Sequence, residues 1–213
     1  MSTQGTVHIV DDDPAIRTSL TASLEARNLN VKSYESAELF LDSYKDINTS
    51  CLVLDIRMPG INGLELQEIL AEKKYYIPII FVTGHGDVPM SVQALKNGAI
   101  DFLEKPYRQE ILHERIEQAL LSSKIIRKKI AEINYCTERY NCLSPREQQI
   151  MTMLVADHAN ISNKKIAEAL DISPRTVEDH RAKIMLKMQV KSLFDLVELS
   201  SKCKICNPLI KNT

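Results

Sequence analysis

The sequence predicts two domains of different class: a doubly wound α/β domain, flavodoxin-like with five parallel strands, and then a small all-α domain of four helices that contains a helix-turn-helix. Three observations carry this. The runs CLVL (51–54) and IPIIFV (77–82) lack the polar alternation of a half-exposed strand, and strands buried on both faces belong to a parallel sheet covered by helices on each side. Over the first 122 residues short apolar runs alternate with helical patterns, the order of a doubly wound fold. From Tyr107 the alternation stops, and apolar residues recur at helical spacings alone.

Taken in order, 6–10 is a strand, 14–27 a helix capped by Asp13, 31–34 a strand and 36–44 a helix. The strands 51–54, 77–82 and 100–103 follow, with a helix over 88–97 before the last. No Pro or Gly interrupts residues 107–144, and Ile111, Leu112, Ile116, Ala119, Leu120, Ile126, Ile130 and Ile133 keep helical spacing. The reading is a first domain over 1–122 and a helical linker over 123–140, with a break at Ser122 and Ser123 as the alternative. At LSPREQQI a new helix starts on Ser144 as N-cap, Pro145 at N1 and Glu147 at N3, the reciprocal capping box. Helices at 163–170, from Ser173-Pro174 to Met188, and at 192–201 complete a second domain over 141–206, with a tail over 207–213.

The formal charge is −7 over residues 1–122, +3 over 123–140 and +3 over 141–213. A basic second part is suited to an anionic partner. The N-terminus lacks a basic segment followed by an apolar one, and no run reaches the roughly 18 apolar residues of a membrane span. A cytoplasmic protein without a membrane partner is expected. Five cysteines, Cys51, Cys136, Cys142, Cys203 and Cys206, argue against a disulfide framework. Cys203 and Cys206 form a CxxC that could join Cys136 and Cys142 around zinc, but five residues separate the latter pair, against the usual two to four, so ordinary thiols are expected.

The stretch VHIVDDDPAIR ends an apolar run in three aspartates. Neighbouring like charges disfavour ionisation, so something should neutralise them. In a doubly wound sheet functional groups collect beyond the carboxyl ends of the strands. That rule brings Asp11, Asp12 and Asp13 together with Asp55, Thr83 and Lys105. Carboxylates around an open cleft suit a small hard cation that keeps several waters, Mg2+ or Mn2+. Add an ammonium and a hydroxyl, and the constellation suits phosphoryl transfer onto a carboxylate.

HIVDDDPAIR, LVLDIRMPGINGLEL, IIFVTGHGDVPM and GAIDFLEKP closely resemble the receiver domain of bacterial two-component response regulators, and VTGHGDVPM resembles the FixJ-type subgroup. The resemblance implies that Asp55 accepts a phosphoryl group from a histidine kinase. It also implies that Asp11, Asp12, Asp55 and the backbone carbonyl of Arg57 hold Mg2+. Lys105 would pair with a phosphate oxygen, Thr83 would turn its hydroxyl toward the phosphate, and Phe102 would fill the aromatic switch position. A cis Lys105-Pro106 bond is implied as well, and Asp13 reads as a helix cap. The activated face would be the fourth helix and fifth strand, where Val92 and Lys96 lie one turn apart and Lys96 could pair across a twofold with Asp101 or Glu104.

On a helical wheel of residues 174–188, Val177, His180, Ile184 and Met188 share one side, the core side, and His180 reads as a core histidine. Arg175, Glu178, Asp179, Ala182 and Lys183 occupy the other, with Lys187 and Lys191 at its edge and Thr176 in its first turn. The segment from Leu143 to Ser192 resembles the LuxR/NarL-type helix-turn-helix. The resemblance implies that the polar side enters the major groove of promoter DNA, its N-terminal residues reaching base edges. Glu178 and Asp179 suit acceptance from cytosine N4.

The expectation is a response regulator that is phosphorylated on Asp55, dimerises and binds DNA, with RNA polymerase as a further partner. No reaction beyond phosphorylation and dephosphorylation of Asp55 is expected. A Mg2+-dependent phosphatase or phosphotransferase would have a similar pocket but leaves the four-helix domain unexplained. A regulator indifferent to phosphate leaves the complete pocket unexplained.

Overall fold

The computed structural model describes residues 5–84, 88–157 and 161–203. The chain divides into two units, residues 1–128 and 129–213. In the first, β1 (Thr6–Val10), α1 (Pro14–Glu25), β2 (Asn30–Tyr34), α2 (Ala37–Ser43), β3 (Ser50–Asp55), α3 (Gly63–Glu72), β4 (Ile79–Thr83), α4 (Val88–Lys96) and β5 (Asp101–Glu104) alternate. The sheet is parallel in the order β2-β1-β3-β4-β5, which is the doubly wound fold the buried runs predict. One face packs Phe40, Leu52, Leu54, Leu66 and Phe81, and the other packs Ile9, Val53, Ile80, Leu112, Ile116 and Leu120.

Most boundaries fall within one residue of the sequence reading, and the two larger shifts have physical reasons. β4 starts at Ile79 rather than 77, because Pro78 has no N–H to give the ladder and contributes only its carbonyl, to the Leu52 N–H at 2.9 Å. α1 stops at Glu25 rather than 27, since Asn28 takes left-handed backbone (φ 61).

α5 (Gln109–Asn141) is one continuous helix of 33 residues, without the break at Ser122 and Ser123. The first unit also extends past residue 122. Ser123 Oγ accepts the Ser50 N–H at 3.1 Å, and Arg127 pairs with the Asp46 carboxylate while donating to its backbone carbonyl at 2.8 Å.

In the second unit α6 (Pro145–Ala156), α7 (Asn163–Leu170), α8 (Pro174–Met188) and α9 (Leu193–Lys202) pack around Ile150, Leu154, Ile166, Val177, Ile184, Met188 and Leu196. The capping box opens α6 as read: Ser144 Oγ accepts the Glu147 N–H at 3.3 Å, and Glu147 Oε2 accepts the Ser144 N–H at 2.8 Å. Such a cap is worth about 1 kcal/mol. α7 ends on Asp171 in left-handed backbone (φ 51) and α8 is capped by Ser173, giving helix, short turn and helix. Cys206 and the tail lie outside the described residues.

Candidate functional site

Strand register assembles the acidic site. Val10 lies opposite Leu54, so Asp11 leaves β1 beside Asp55 at the end of β3. Asp55 is opposite Val82 and Thr83 opposite Glu104, which carries Thr83 and Lys105 to the same end of the sheet. Carboxylate oxygens of Asp11, Asp12 and Asp55 all lie within 4.8 Å of one another. Asp11 is buried, Asp55 half-buried and Asp12 exposed, so the cluster opens to solvent on one side. Three hard anionic donors with an open side fit a divalent cation that retains water.

Lys105 Nζ pairs with Asp11 Oδ2 at 2.9 Å, and its N–H reaches the Thr83 carbonyl at 2.7 Å. The Lys105-Pro106 bond is cis. Arg17 donates to the Asp11 carbonyl at 2.8 Å. Asp13 stands apart as read: its carboxylate accepts the Ala15 N–H at 2.8 Å and the Ile16 N–H at 3.4 Å, capping α1. Asp55 Oδ1 accepts the Ile56 N–H at 2.9 Å. Burial, with Asp11 and Asp12 adding repulsion, pushes the Asp55 carboxyl up to about 6 against the pull of Lys105 and the Ile56 N–H.

Gly63 seats the loop after Asp55. A Cβ there would stand 2.4 Å from the Asp55 carbonyl oxygen and 3.1 Å from the Phe81 ring, so any side chain would displace the backbone of Asp55. The Gly63 N–H donates to the Ile56 carbonyl at 2.9 Å. Arg57, two residues past Asp55, is exposed. Thr83 is buried, and Phe102 is half-buried against the core of one sheet face.

On α4, Val92 and Lys96 are exposed, and Leu95, which the sequence reading passed over, is exposed beside them. Asp101, read as a dimer contact, already has partners within the receiver unit. Its carboxylate pairs with Arg115 Nε at 2.6 Å and accepts the Phe102 N–H at 2.8 Å.

On α8, Arg175, Glu178, Asp179, Ala182 and Lys183 are exposed, opposite buried Val177, Ile184 and Met188. Two of the expected nucleic-acid contacts also have partners within the second unit. Thr176 is half-buried, and its N–H and hydroxyl are both bound to Ser173 Oγ, at 3.1 and 2.8 Å. Lys187 Nζ binds Glu147 Oε2 at 2.7 Å and the Cys142 carbonyl at 3.2 Å, which ties it to the α6 cap. His180 is half-buried, with Nδ1 buried and lacking a hydrogen-bond partner among the described residues. Leu186, which the sequence reading passed over, is 78% exposed; its place three residues after Lys183 was visible on the same wheel.

The model of the response regulator receiver domain matches residues 7–117, and that of the bacterial regulatory proteins of the luxR family matches 141–200. The chain is 42% identical to the transcriptional regulatory protein FixJ of Bradyrhizobium diazoefficiens over 207 residues, 97% of this chain and 100% of that one. It is 45% identical to FixJ of Rhizobium meliloti over 198 residues, covering 93% and 96%. Among solved structures it is similar to the response regulator StyR (TM-score 0.82, 40% identity, 93% and 98% covered). Full-length FixJ from B. japonicum is a further match (TM-score 0.57, 41% identity, 97% and 100% covered).

Proposed function

The chain belongs to the two-component response regulators, as a FixJ-like transcriptional regulator with a receiver domain and a LuxR-type DNA-binding domain, and from that premise we propose that Asp55 is its phosphoacceptor. A receiver domain implies a histidine kinase as partner, and the LuxR-type domain implies binding to DNA. The observation that carries the assignment is the convergence of Asp11, Asp12 and Asp55 with Lys105 at one end of the sheet.

An Asp55 carboxylate oxygen attacks the phosphorus of a phosphohistidine, and the histidine nitrogen leaves. Lys105 exchanges its bond to Asp11 for one to a phosphate oxygen, and the Thr83 hydroxyl turns toward the same group. Asp11, Asp12, Asp55 and the Arg57 carbonyl would hold Mg2+ or Mn2+, which when bound supplies neutralisation of the transferring charge. The chain's own contribution is position: β1, β3 and β5 fix the groups before the phosphoryl group arrives. No external substrate is turned over.

Phosphorylation shifts the population toward a dimer through Val92, Leu95 and Lys96, only as far as phosphate favours that state. In the dimer Lys96 of one copy competes with Arg115 for the other copy's Asp101. Arg175, Glu178, Asp179, Ala182 and Lys183 enter the major groove of promoter DNA, and Leu186 offers an apolar contact to thymine methyl groups. RNA polymerase is a further partner. Among the described residues no helix is long and apolar enough to cross a membrane, and the site of action is the cytoplasm.

The test is incorporation of acid-stable, base-labile phosphate from acetyl phosphate, followed by sedimentation with and without beryllofluoride. Mg2+-dependent incorporation and dimerisation, both lost in Asp55→Asn, are expected. Equal incorporation by Asp55→Asn would refute the acceptor assignment.

A further inference from the structure

We propose that Cys136 and Cys203 form an oxidisable dithiol, a modification site in the second unit that a hydroperoxide closes to an intrachain disulfide between α5 and the C-cap of α9. Cys136 is 2% exposed and Cys203 7% exposed. The Cys203 thiol touches that of Cys136 and points its hydrogen at the Glu132 carbonyl, 3.9 Å from Sγ. Glu132 and Cys136 are four residues apart on α5, one above the other on the same face. Cys203 therefore sits over a single turn of α5, held by two independent contacts.

A lone buried cysteine packs as a small hydrophobe. Two neighbouring thiols place a nucleophile beside its resolving partner. Cys203, the more exposed of the two, reacts first: its sulfur attacks one peroxide oxygen, the O–O bond breaks, an alcohol or water leaves, and a sulfenic acid remains. Cys136 sulfur then attacks the Cys203 sulfur, the S–O bond breaks and water leaves. Two S–H bonds are lost, one S–S bond forms, and two electrons pass to the peroxide.

Burial and the neighbouring Cys136 push Cys203 up to about 12, so thiolate is scarce at neutral pH and closure is slow. Its rate should climb about tenfold per pH unit as the thiolate fraction rises. Exposed Cys142, just past the end of α5, has no such partner among the described residues and serves as the internal control.

The site lies where α5 supports the recognition helix. Tyr135 donates to Gln189 Oε1 at 3.2 Å, and Arg139 donates to the Met188 carbonyl at 3.0 Å. Closing the pair therefore secures α5 beside the end of α8 while leaving the groove-facing side of α8 untouched.

The experiment treats the reduced full chain with hydrogen peroxide at pH 7, 8 and 9, caps free thiols and maps disulfides by mass spectrometry of peptides. A Cys136–Cys203 cross-link is expected, faster at each higher pH, unchanged in Cys142→Ser and Cys206→Ser and absent in Cys136→Ala and Cys203→Ala. The oxidised second unit should melt higher by roughly 10 °C or more, since the bond closes a long loop in the unfolded chain. Pairing of Cys203 with Cys206 would overturn the proposal. So would oxidation of Cys142 with the Cys136 and Cys203 thiols intact, or a fall in melting temperature on closure.

Discussion

Replacing Asp55 with Asn should make the metal-free receiver more stable, although it removes the group on which the function is proposed to rest. The Asp55 carboxyl stands at about 6 in the fold against an ordinary 3.8. A folded-state pKa raised above the unfolded value means that the fold holds the proton more tightly than the unfolded chain does. The charged form therefore costs stability, a penalty that builds between about pH 4 and 6 and is fully present above that. Two pKa units correspond to about 3 kcal/mol, and solvent screening on the open side reduces this to about 2 kcal/mol. Asn occupies the same volume and can still accept the Ile56 N–H. Scanning calorimetry of the full chain in EDTA isolates the receiver as the transition that Mg2+ shifts in the parent protein. At pH 7.5 that transition should rise by roughly 8 °C in Asp55→Asn, and the difference should shrink toward zero near pH 4. With saturating Mg2+ the order should reverse, because the parent gains ligand-binding energy that the variant has lost. A variant no more stable than the parent in EDTA at pH 7.5 would refute the reasoning, because the Asp55 charge would then carry no uncompensated cost of burial and repulsion.

Gly63→Ala should slow phosphate uptake at least tenfold and destabilise the receiver by about 2 kcal/mol, since the new methyl group displaces the Asp55 carbonyl; acetyl phosphate kinetics and calorimetry read both. Lys183→Ala should weaken DNA binding and lower the salt slope by about 1. Lys187→Ala should leave that slope unchanged and instead cost the second unit about 2 kcal/mol through unpaired, buried Glu147, a contrast that salt titrations on one promoter fragment would test. Asp46→Ala strands the Arg127 guanidinium and should cost the receiver about 2 kcal/mol, visible as a lower receiver melting temperature with Mg2+ affinity unchanged.

The acidic site was legible because each member sits at the end of an apolar run, and parallel strands deliver their ends to one place. The caps at Asp13, Ser144 and Ser173 were legible because each is a local event within three residues. What escaped was pairing over distance. Nothing along the chain tells that Glu147 will take Lys187, that Arg115 will take Asp101, or that Arg127 will find Asp46, since each requires two elements to be packed at a particular register. Those pairings give Lys187 and Asp101 internal partners that the sequence reading did not foresee. Leu95 and Leu186 are a different omission: helical spacing alone already put them on the faces in question.

β3 joins two places that have so far been treated apart. Its last residue, Asp55, lies in the acidic cluster, and its first, Ser50, gives its N–H to Ser123 on α5. Between them are four buried residues, Cys51, Leu52, Val53 and Leu54, hydrogen-bonded to β1 on one side and β4 on the other. A strand gripped this way behaves as a push-rod. Over its length of roughly 17 Å it has no slack turn or glycine in which a pull on Asp55 could be absorbed. Load applied at the aspartate is thus carried along the strand to Ser50 and crosses to the helix at the opposite pole of the sheet through the hydrogen bond from Ser50 N–H to Ser123 Oγ.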